Sequence, residues 1–498
     1  AAGIVSLSKK HVLVQDLYSL ENLAHVDVLC LDKTGTLTEG RMQVEDTIFF
    51  PDADTEEFQQ RMGSFLSQTS DNNATFQALS SYFPGAETYT RTADIPFSSD
   101  RKWSAMTFSD GATLLVGAPE KLSPKPLPDA VQSHMAAGKR ILLVGITTEP
   151  VTKEQPLPAL KLLAAVLIVD PIRKNASAAM AYFRSEGVAV KIISGDNPVT
   201  VSAIAAKAGV PGAEHYLDMS QLEADASMDE IAETYSVFGR VTPTQKKQLV
   251  EALHRKKHTV AMTGDGVNDA PAIKEADVGV AMGKNGTDVA RQAADMVLTD
   301  DNFATLVDAV EQGRCVYANI RKFVRYLLSC NIGEVLTMFL GILMGMPVVL
   351  LPTQLLLVNL VTDGLPAIAL GLEPPEPEAM TKPPRRPEES FFSDGLMGRI
   401  VLRGVLIGIG TLGSFSTILR MGGTLEAART AALCTLILSQ LVHVFECKSE
   451  TRTLFSVRYG NNFWLLGAVL VSLAVLGAAV LLPMLRVIFS TVLLTGQQ

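Results

Sequence analysis

Five apolar runs, at about 323–346, 352–372, 400–419, 428–446 and 463–482, constrain this sequence more than any other feature. Each approaches the ~20 residues that a helix needs to cross the hydrocarbon core of a bilayer. Backbone polar groups at that depth must be satisfied within the segment, which predicts helices. The tail RVIFSTVLLTGQQ is too short to span unaided. Positive charge separates the connections: 373–395 carries Lys382, Arg385 and Arg386, and 447–462 carries Lys448, Arg452 and Arg458. The turn GMPVVLLP carries none. The tendency of Lys and Arg to stay inside then predicts a cytoplasmic location for 1–314 and both basic loops.

Polar residues within these runs are costly and point to function. Asn331 and Glu334 lie three apart on one helix face; Asn359, Thr362 and Asp363 share another. All five offer hard oxygens, which suit Ca²⁺ or a similarly hard cation. Gly364 and Pro366 predict a helix break whose freed carbonyls can join a cavity. Gln440, His443 and Glu446 also share a face, but near the cytoplasmic end of their run, and read as interfacial.

At 498 residues the chain exceeds one hydrophobic core. A net charge of −9 without a basic stripe argues against nucleic acid as partner. Its five cysteines form no CxxC pair, so a disulfide framework is not expected. The opening AAGIVSLSKKHVLV reads as the end of a membrane helix followed by a linker, 1–20.

Four short apolar runs then end in polar turns: VDVLCLDKTG, VAVKIISGDNP, HTVAMTGDGVND and ADVGVAMG. Helical patterns at 173–187, 198–208 and 243–257 separate them, which predicts a doubly wound α/β sheet. Ligands of such sheets bind beyond the carboxyl ends of the strands, where Asp32, Asp196 and Asp265 are expected to converge. Clustered acids call for a divalent cation, and Mg²⁺ with a phosphate-bearing substrate fits. Thr34, Thr36 and the amides around Gly35 offer donors to phosphoryl oxygens, Lys246 a positive charge, and Asp32 a nucleophile toward phosphorus. Between the first two strands, 48–157 reads as an inserted α+β domain, where Phe97 beside Arg101 and Lys102 suits an adenine and its phosphates.

These segments resemble the P-type cation-transporting ATPases, in their calcium-pump-like branch. The carriers are DKTGTLT (32–38), DPIRK (170–174), GRVTPTQK (239–246), TGDGVNDAPAIKEADVGVAMG (263–283), NIGE (331–334) and NLVTDGLPAIALGLEPPE (359–376). The resemblance implies a haloacid-dehalogenase-like phosphorylation domain (21–47 and 158–314), the nucleotide-binding insertion (48–157) and a transmembrane helical bundle (315–498). It implies that ATP phosphorylates Asp32, that Asp32, Asp265 and the Thr34 carbonyl hold Mg²⁺, and that Lys246, Asp269 and Asn268 support them. Phe97, Lys102, Gly117, Arg140, Ser194, Gly195 and Asp196 would form the nucleotide site. Asn331, Glu334, Asn359, Thr362 and Asp363 would bind the transported cation, Ca²⁺ before Mn²⁺, in a bacterial plasma membrane.

The sequence departs from that family in places. VGAPE puts Val116 where a lysine is usual, and Phe445 stands where calcium pumps place a glutamate, which implies one cation per cycle. An actuator domain and the first membrane helices are expected from the full-length protein. A dehalogenase-fold phosphohydrolase is the alternative reading. Such enzymes carry a second aspartate two residues after the nucleophile, where this chain has Thr34.

Overall fold

In the central strand, Val28–Asp32, every residue is buried, which explains its unbroken apolar run. The computed structural model describes residues 1–498, except the side chains of 379 and 380. The chain divides into two compact units, Val26–Val307 and Ala1–His25 with Asp308–Gln498.

In the first unit a parallel sheet runs in the order Met296–Leu298, Val278–Met282, Val260–Gly264, Val28–Asp32, Ala189–Ile193, Val237–Gly239 and Tyr216–Asp218. Val28 pairs with Val260 on one side and Ala189 on the other, so the carboxyl ends of three strands are level. Helices Ala176–Ser185, Pro198–Lys207 and Pro243–Arg255 fall within the expected helical patterns. The last starts at a capping box, Thr242 with Gln245, and buries Leu249, Val250 and Leu253. Each such side chain contributes roughly 1.5–3 kcal/mol of apolar burial. Residues 216–218, 237–239 and 296–298 make strands of three residues, too short to leave a sequence period.

The inserted sheet is antiparallel and six-stranded, in the order Gln43–Phe49, Lys161–Val169, Arg140–Thr147, Thr113–Gly117, Trp103–Phe108, Arg91–Ile95. It extends past both ends of 48–157, because Gln43–Phe49 pairs with Lys161–Val169. The first of these strands is mostly solvent-facing and lacks an apolar run that would announce it. Helices Thr55–Gln68 and Ala74–Tyr82 bury Phe58, Met62, Phe65, Phe76 and Leu79 in one cluster with Phe108, Leu114 and Val166.

Among the described residues five helices are long and apolar enough to cross a membrane, and all but residues 305–307 belong to the second unit: Thr305–Leu343, Pro352–Leu370, Leu396–Arg420, Leu425–Glu446 and Phe463–Leu481. They make the chain an integral membrane protein. The first has 39 residues, so at 1.5 Å per residue it is about 58 Å long, far more than a bilayer core requires. The second is broken where expected: helix Pro352–Thr362 ends, Gly364 leaves helical geometry, and Leu365–Leu370 begins anew. Helices Thr305–Leu343 and Leu396–Arg420 approach closely through glycine. A Cβ on Gly404 would come within 2.5 Å of Ile332, and one on Gly333 within 2.8 Å of Ile407.

Candidate active site and membrane polar cluster

Asp32 ends the central strand, and Asp265 follows the neighbouring strand Val260–Gly264 directly. One carboxylate oxygen from each of Asp32, Asp265 and Asp269 lies within 4.8 Å of the others. Lys246 projects from helix Pro243–Arg255 with Nζ 2.6 Å from Asp269 and 3.5 Å from Asp32. Asp269 is buried and saturated: Oδ1 accepts from Lys246, and Oδ2 accepts from the amides of Asp265 (3.3 Å) and Gly266 (3.1 Å). It therefore anchors the loop, and Asp32 and Asp265 keep oxygens for another ligand. Asn268 is exposed beside them.

The Lys33–Leu37 turn is held from outside. Arg173 donates to the carbonyls of Gly35 (2.8 Å) and Thr36 (3.0 Å). Asp170 accepts from the Thr38 hydroxyl (2.5 Å) and the Gly40 amide (2.9 Å). Gly35 has φ +74°, and a Cβ there would lie 2.1 Å from Asp265 Oδ2, so only glycine fits. The Thr34 side chain is exposed, while Thr36 Oγ1 is buried without a hydrogen-bond partner among the described residues.

Asp196 corrects the expected trio. Its carboxylate pairs with Lys33 rather than joining Asp32 and Asp265, and Asp269 takes the third place. The buried Lys33, next to Asp32, requires a counter-charge, and the 194–197 loop supplies it. Ser194 is buried and its Oγ accepts from the Asp196 amide (3.1 Å), while Gly195 is exposed.

Electrostatics follow from burial. Loss of water pushes the Asp32 carboxyl well above the usual carboxylate range; the charge on Asp269 adds to this, and Lys246 opposes it. Burial, helped by Asp269, pushes Asp265 up to about 6. Burial alone would lower the Lys246 ammonium, but Asp32 and Asp269 outweigh it and hold it above its ordinary value. Three carboxylates against one ammonium leave an anionic pocket of hard oxygens, a donor set that fits a divalent cation.

In the inserted domain Phe97, Lys102 and Arg140 line one cleft of about 650 Å³ with Gly138, Lys139 and Asn197. Phe97 is partly buried on the helix-covered core, with its amide 3.0 Å from Asp71 Oδ2. Lys102 pairs with Glu120 at 3.3 Å. Gly117 does not line the cleft; it sits buried in its strand, where a Cβ would lie 2.5 Å from Trp103.

Among the membrane residues, Glu334 Oε1 accepts from Gln440 Nε2 at 3.1 Å. The carboxylates of Glu334 and Asp363 are electrostatic neighbours, and Asp363 Oδ1 is buried without a hydrogen-bond partner among the described residues. Thr362 Oγ1 donates to its own helix at Val358 O (2.7 Å). Asn331 and Asn359 are exposed in this chain and do not join the cluster. Gln440 and His443, expected to be interfacial, are both fully buried. Glu446 instead pairs with Arg403. A polar residue near a helix end can still face other helices.

Known proteins match both units. The family described as haloacid dehalogenase-like hydrolase matches residues 26–277, and "Cation transporting ATPase, C-terminus" matches 347–498. The chain is 40% identical over 402 residues to the "Calcium-transporting ATPase" of Bacillus subtilis (strain 168), covering 79% of this chain and 44% of that protein. It is 34% identical to the "Probable cation-transporting ATPase F" of Mycobacterium tuberculosis (strain ATCC 25618 / H37Rv), over 99% of this chain and 63% of that protein. The "Calcium-transporting ATPase 1" of Bacillus cereus (strain ATCC 10987 / NRS 248) gives the same figures, 34%, 99% and 63%. The chain thus spans 44–63% of the length of these curated relatives.

Proposed function

The chain belongs to the haloacid dehalogenase-like hydrolases, in the branch of the P-type cation-transporting ATPases, and on that premise we propose that Asp32 carries a phosphoryl group from ATP during cation transport. The supporting observation is the placing of Asp32, Asp265 and Lys246 around one anionic pocket at the carboxyl edge of the sheet. An Asp32 oxygen attacks the γ-phosphorus, the bond to the bridging oxygen breaks, and ADP leaves with that oxygen's electron pair. Lys246 holds Asp269 and meets the transferred phosphoryl group. Gly35 and Thr36 keep the turn open toward it, with Arg173 and Asp170 fixing its backbone. Asp32, Asp265 and the Thr34 carbonyl would hold Mg²⁺, which offsets charge on the phosphoryl oxygens.

Position 34 offers no carboxyl group to activate water, which favours a lasting aspartyl-phosphate. ATP lies with adenine on Phe97 and its phosphates toward Lys102 and Arg140, in the cleft that Asn197 also lines. The transported cation is Ca²⁺, with Mn²⁺ its competitor, bound one per cycle by Glu334 and Asp363 with Thr362. The membrane is a bacterial plasma membrane with the Val26–Val307 unit in the cytoplasm. The test is ³²P-labelling of the intact protein from ATP in Ca²⁺, Mn²⁺, Na⁺, K⁺ or Mg²⁺ alone, with D363A as control. Labelling that rises with Ca²⁺ and is lost in D363A supports this reading; labelling in Mg²⁺ alone that no further cation alters contradicts it.

A further inference from the structure

We propose that Thr200 is a positioning residue for phosphoryl transfer, a role that rests on the phosphorylation reading above. ATP held on the inserted sheet must present its γ-phosphorus to Asp32 on the parallel sheet, and reaction needs the two atoms about 3–3.5 Å apart. Thr200 Oγ1 donates to the carbonyl of Gly138 at 2.6 Å, across 62 residues of sequence. Gly138 lies just before strand Arg140–Thr147 and lines the cleft with Phe97, Lys102 and Arg140. Thr200 stands in the first turn of helix Pro198–Lys207, whose cap residue, Asn197, lines the same cleft. One hydrogen bond therefore ties the wall of the nucleotide cleft to a helix of the parallel sheet.

Both ends of that bond are held. Gly138 has φ +77°, and a Cβ there would lie 1.9 Å from Thr200 Oγ1, so the close approach requires glycine. Its neighbour Lys139 pairs with Glu45 at 3.1 Å, which fastens the turn to strand Gln43–Phe49. On the other side, Asn197 Oδ1 accepts from the Val199 amide at 2.9 Å and fixes the helix start. A Cβ on Gly239 would lie 2.4 Å from Pro198, so the helix start has no room to shift toward strand Val237–Gly239. Asp196, directly before the cap, pairs with Lys33, the residue after Asp32. Gly138, Thr200, Asp196 and Lys33 thus link the nucleotide cleft to the nucleophile. Water would satisfy the half-buried Gly138 carbonyl nearly as well, so what the hydroxyl adds is alignment more than stability.

The experiment uses the intact protein as wild type, T200V, T200S, G138A and the double variant G138A/T200V. Rapid-quench labelling at saturating γ-³²P ATP gives the rate, and displacement of a fluorescent ATP analogue by ADP gives nucleotide affinity. T200V keeps the side-chain volume and removes the donor. Its labelling should slow roughly three- to tenfold, the range for losing one neutral hydrogen bond, with ADP affinity within about twofold of wild type. T200S restores the hydroxyl and should recover the rate, which a mere packing role for the methyl group would not allow. The double variant should be little worse than G138A alone, because both changes break the same contact. Should T200V not accumulate, T200A, which also lacks the donor, decides the question by the same split between rate and affinity. Labelling of T200V within about 1.5-fold of wild type, an affinity loss as large as the rate loss, or T200S as slow as T200V overturns the proposal. A wild type that takes no label from ATP would instead remove the phosphorylation reading beneath it.

Discussion

Replacing Gly35 by alanine tests how tightly the phosphorylation turn is built. Its φ of +74° lies in the left-handed region, which costs an alanine about 1–2 kcal/mol. The larger effect is steric: the new Cβ would stand 2.1 Å from Asp265 Oδ2 and 3.0 Å from its Cγ. Real contacts of this kind begin near 3.0 Å, so Asp265 or the turn must move by about 1 Å, a misplacement that can cost about a hundredfold in rate. The yielding group is a carboxylate, not an apolar side chain, so the damage falls on the chemistry more than on the core. Rapid-quench labelling of G35A from ATP should therefore be slower by roughly two orders of magnitude, with ATP binding unchanged. Gly111 provides the matched control. Its φ is +85°, but a Cβ there meets nothing within 4 Å, so G111A should lose only about 1–2 kcal/mol of stability and label normally. If G35A labels within about threefold of wild type, the tight approach of the turn to Asp265 is not what orders the site.

Further outcomes follow from the clamps around the site. R173M removes both bonds to the turn carbonyls; it should slow labelling at least tenfold, about 1.4 kcal/mol in barrier height, while R173K retains more of the rate. D196N should weaken labelling less than D265N does, because Asp196 partners Lys33 and lies outside the carboxylate trio; comparable losses would contradict that placement. His258 supplies a pH dependence. Its hydrogen bond to Asp27 (2.8 Å), against opposing burial and with help from Glu233, raises its pKa above the ordinary value of 6.5. A folded pKa above the unfolded one contributes stability that is complete below about 6.5 and is lost as pH rises through the folded value. Urea unfolding followed at Trp103 should thus separate wild type from H258Q more at pH 6 than at pH 9. The opposite trend would contradict the assignment.

Much of this was legible from residue order because it depends on local pattern. The buried central strands announce themselves as apolar runs that stop at Asp32, Ser194 and Asp265, since both sheet faces are covered. The membrane helices were equally plain, and Gly364 with Pro366 foretold the break between 362 and 365. Side-chain partnership was not local and was harder to read. Whether Asp196 or Asp269 completes the trio depends on which loop folds back over Asp32, and the buried charge of Lys33 decides it. The parts of Asp170 and Arg173 in holding the turn are not legible in the order of residues, although DPIRK itself stands out, because their partners lie 130–138 residues away. Gln440 sits only six residues before the end of its helix at Glu446, about 9 Å, and a position along the helix does not tell which face is covered. Its lack of any exposure is a property of packing.

The most direct measurement places the phosphate. The intact protein, labelled from γ-³²P ATP with Ca²⁺ and quenched in acid, should yield one radioactive peptide carrying its label on Asp32 and releasing it to hydroxylamine, as an acyl phosphate must. D32N should carry none and hydrolyse no ATP in response to Ca²⁺. Undiminished Ca²⁺-stimulated hydrolysis by D32N, or a label resident on any other side chain, would contradict the account at its centre.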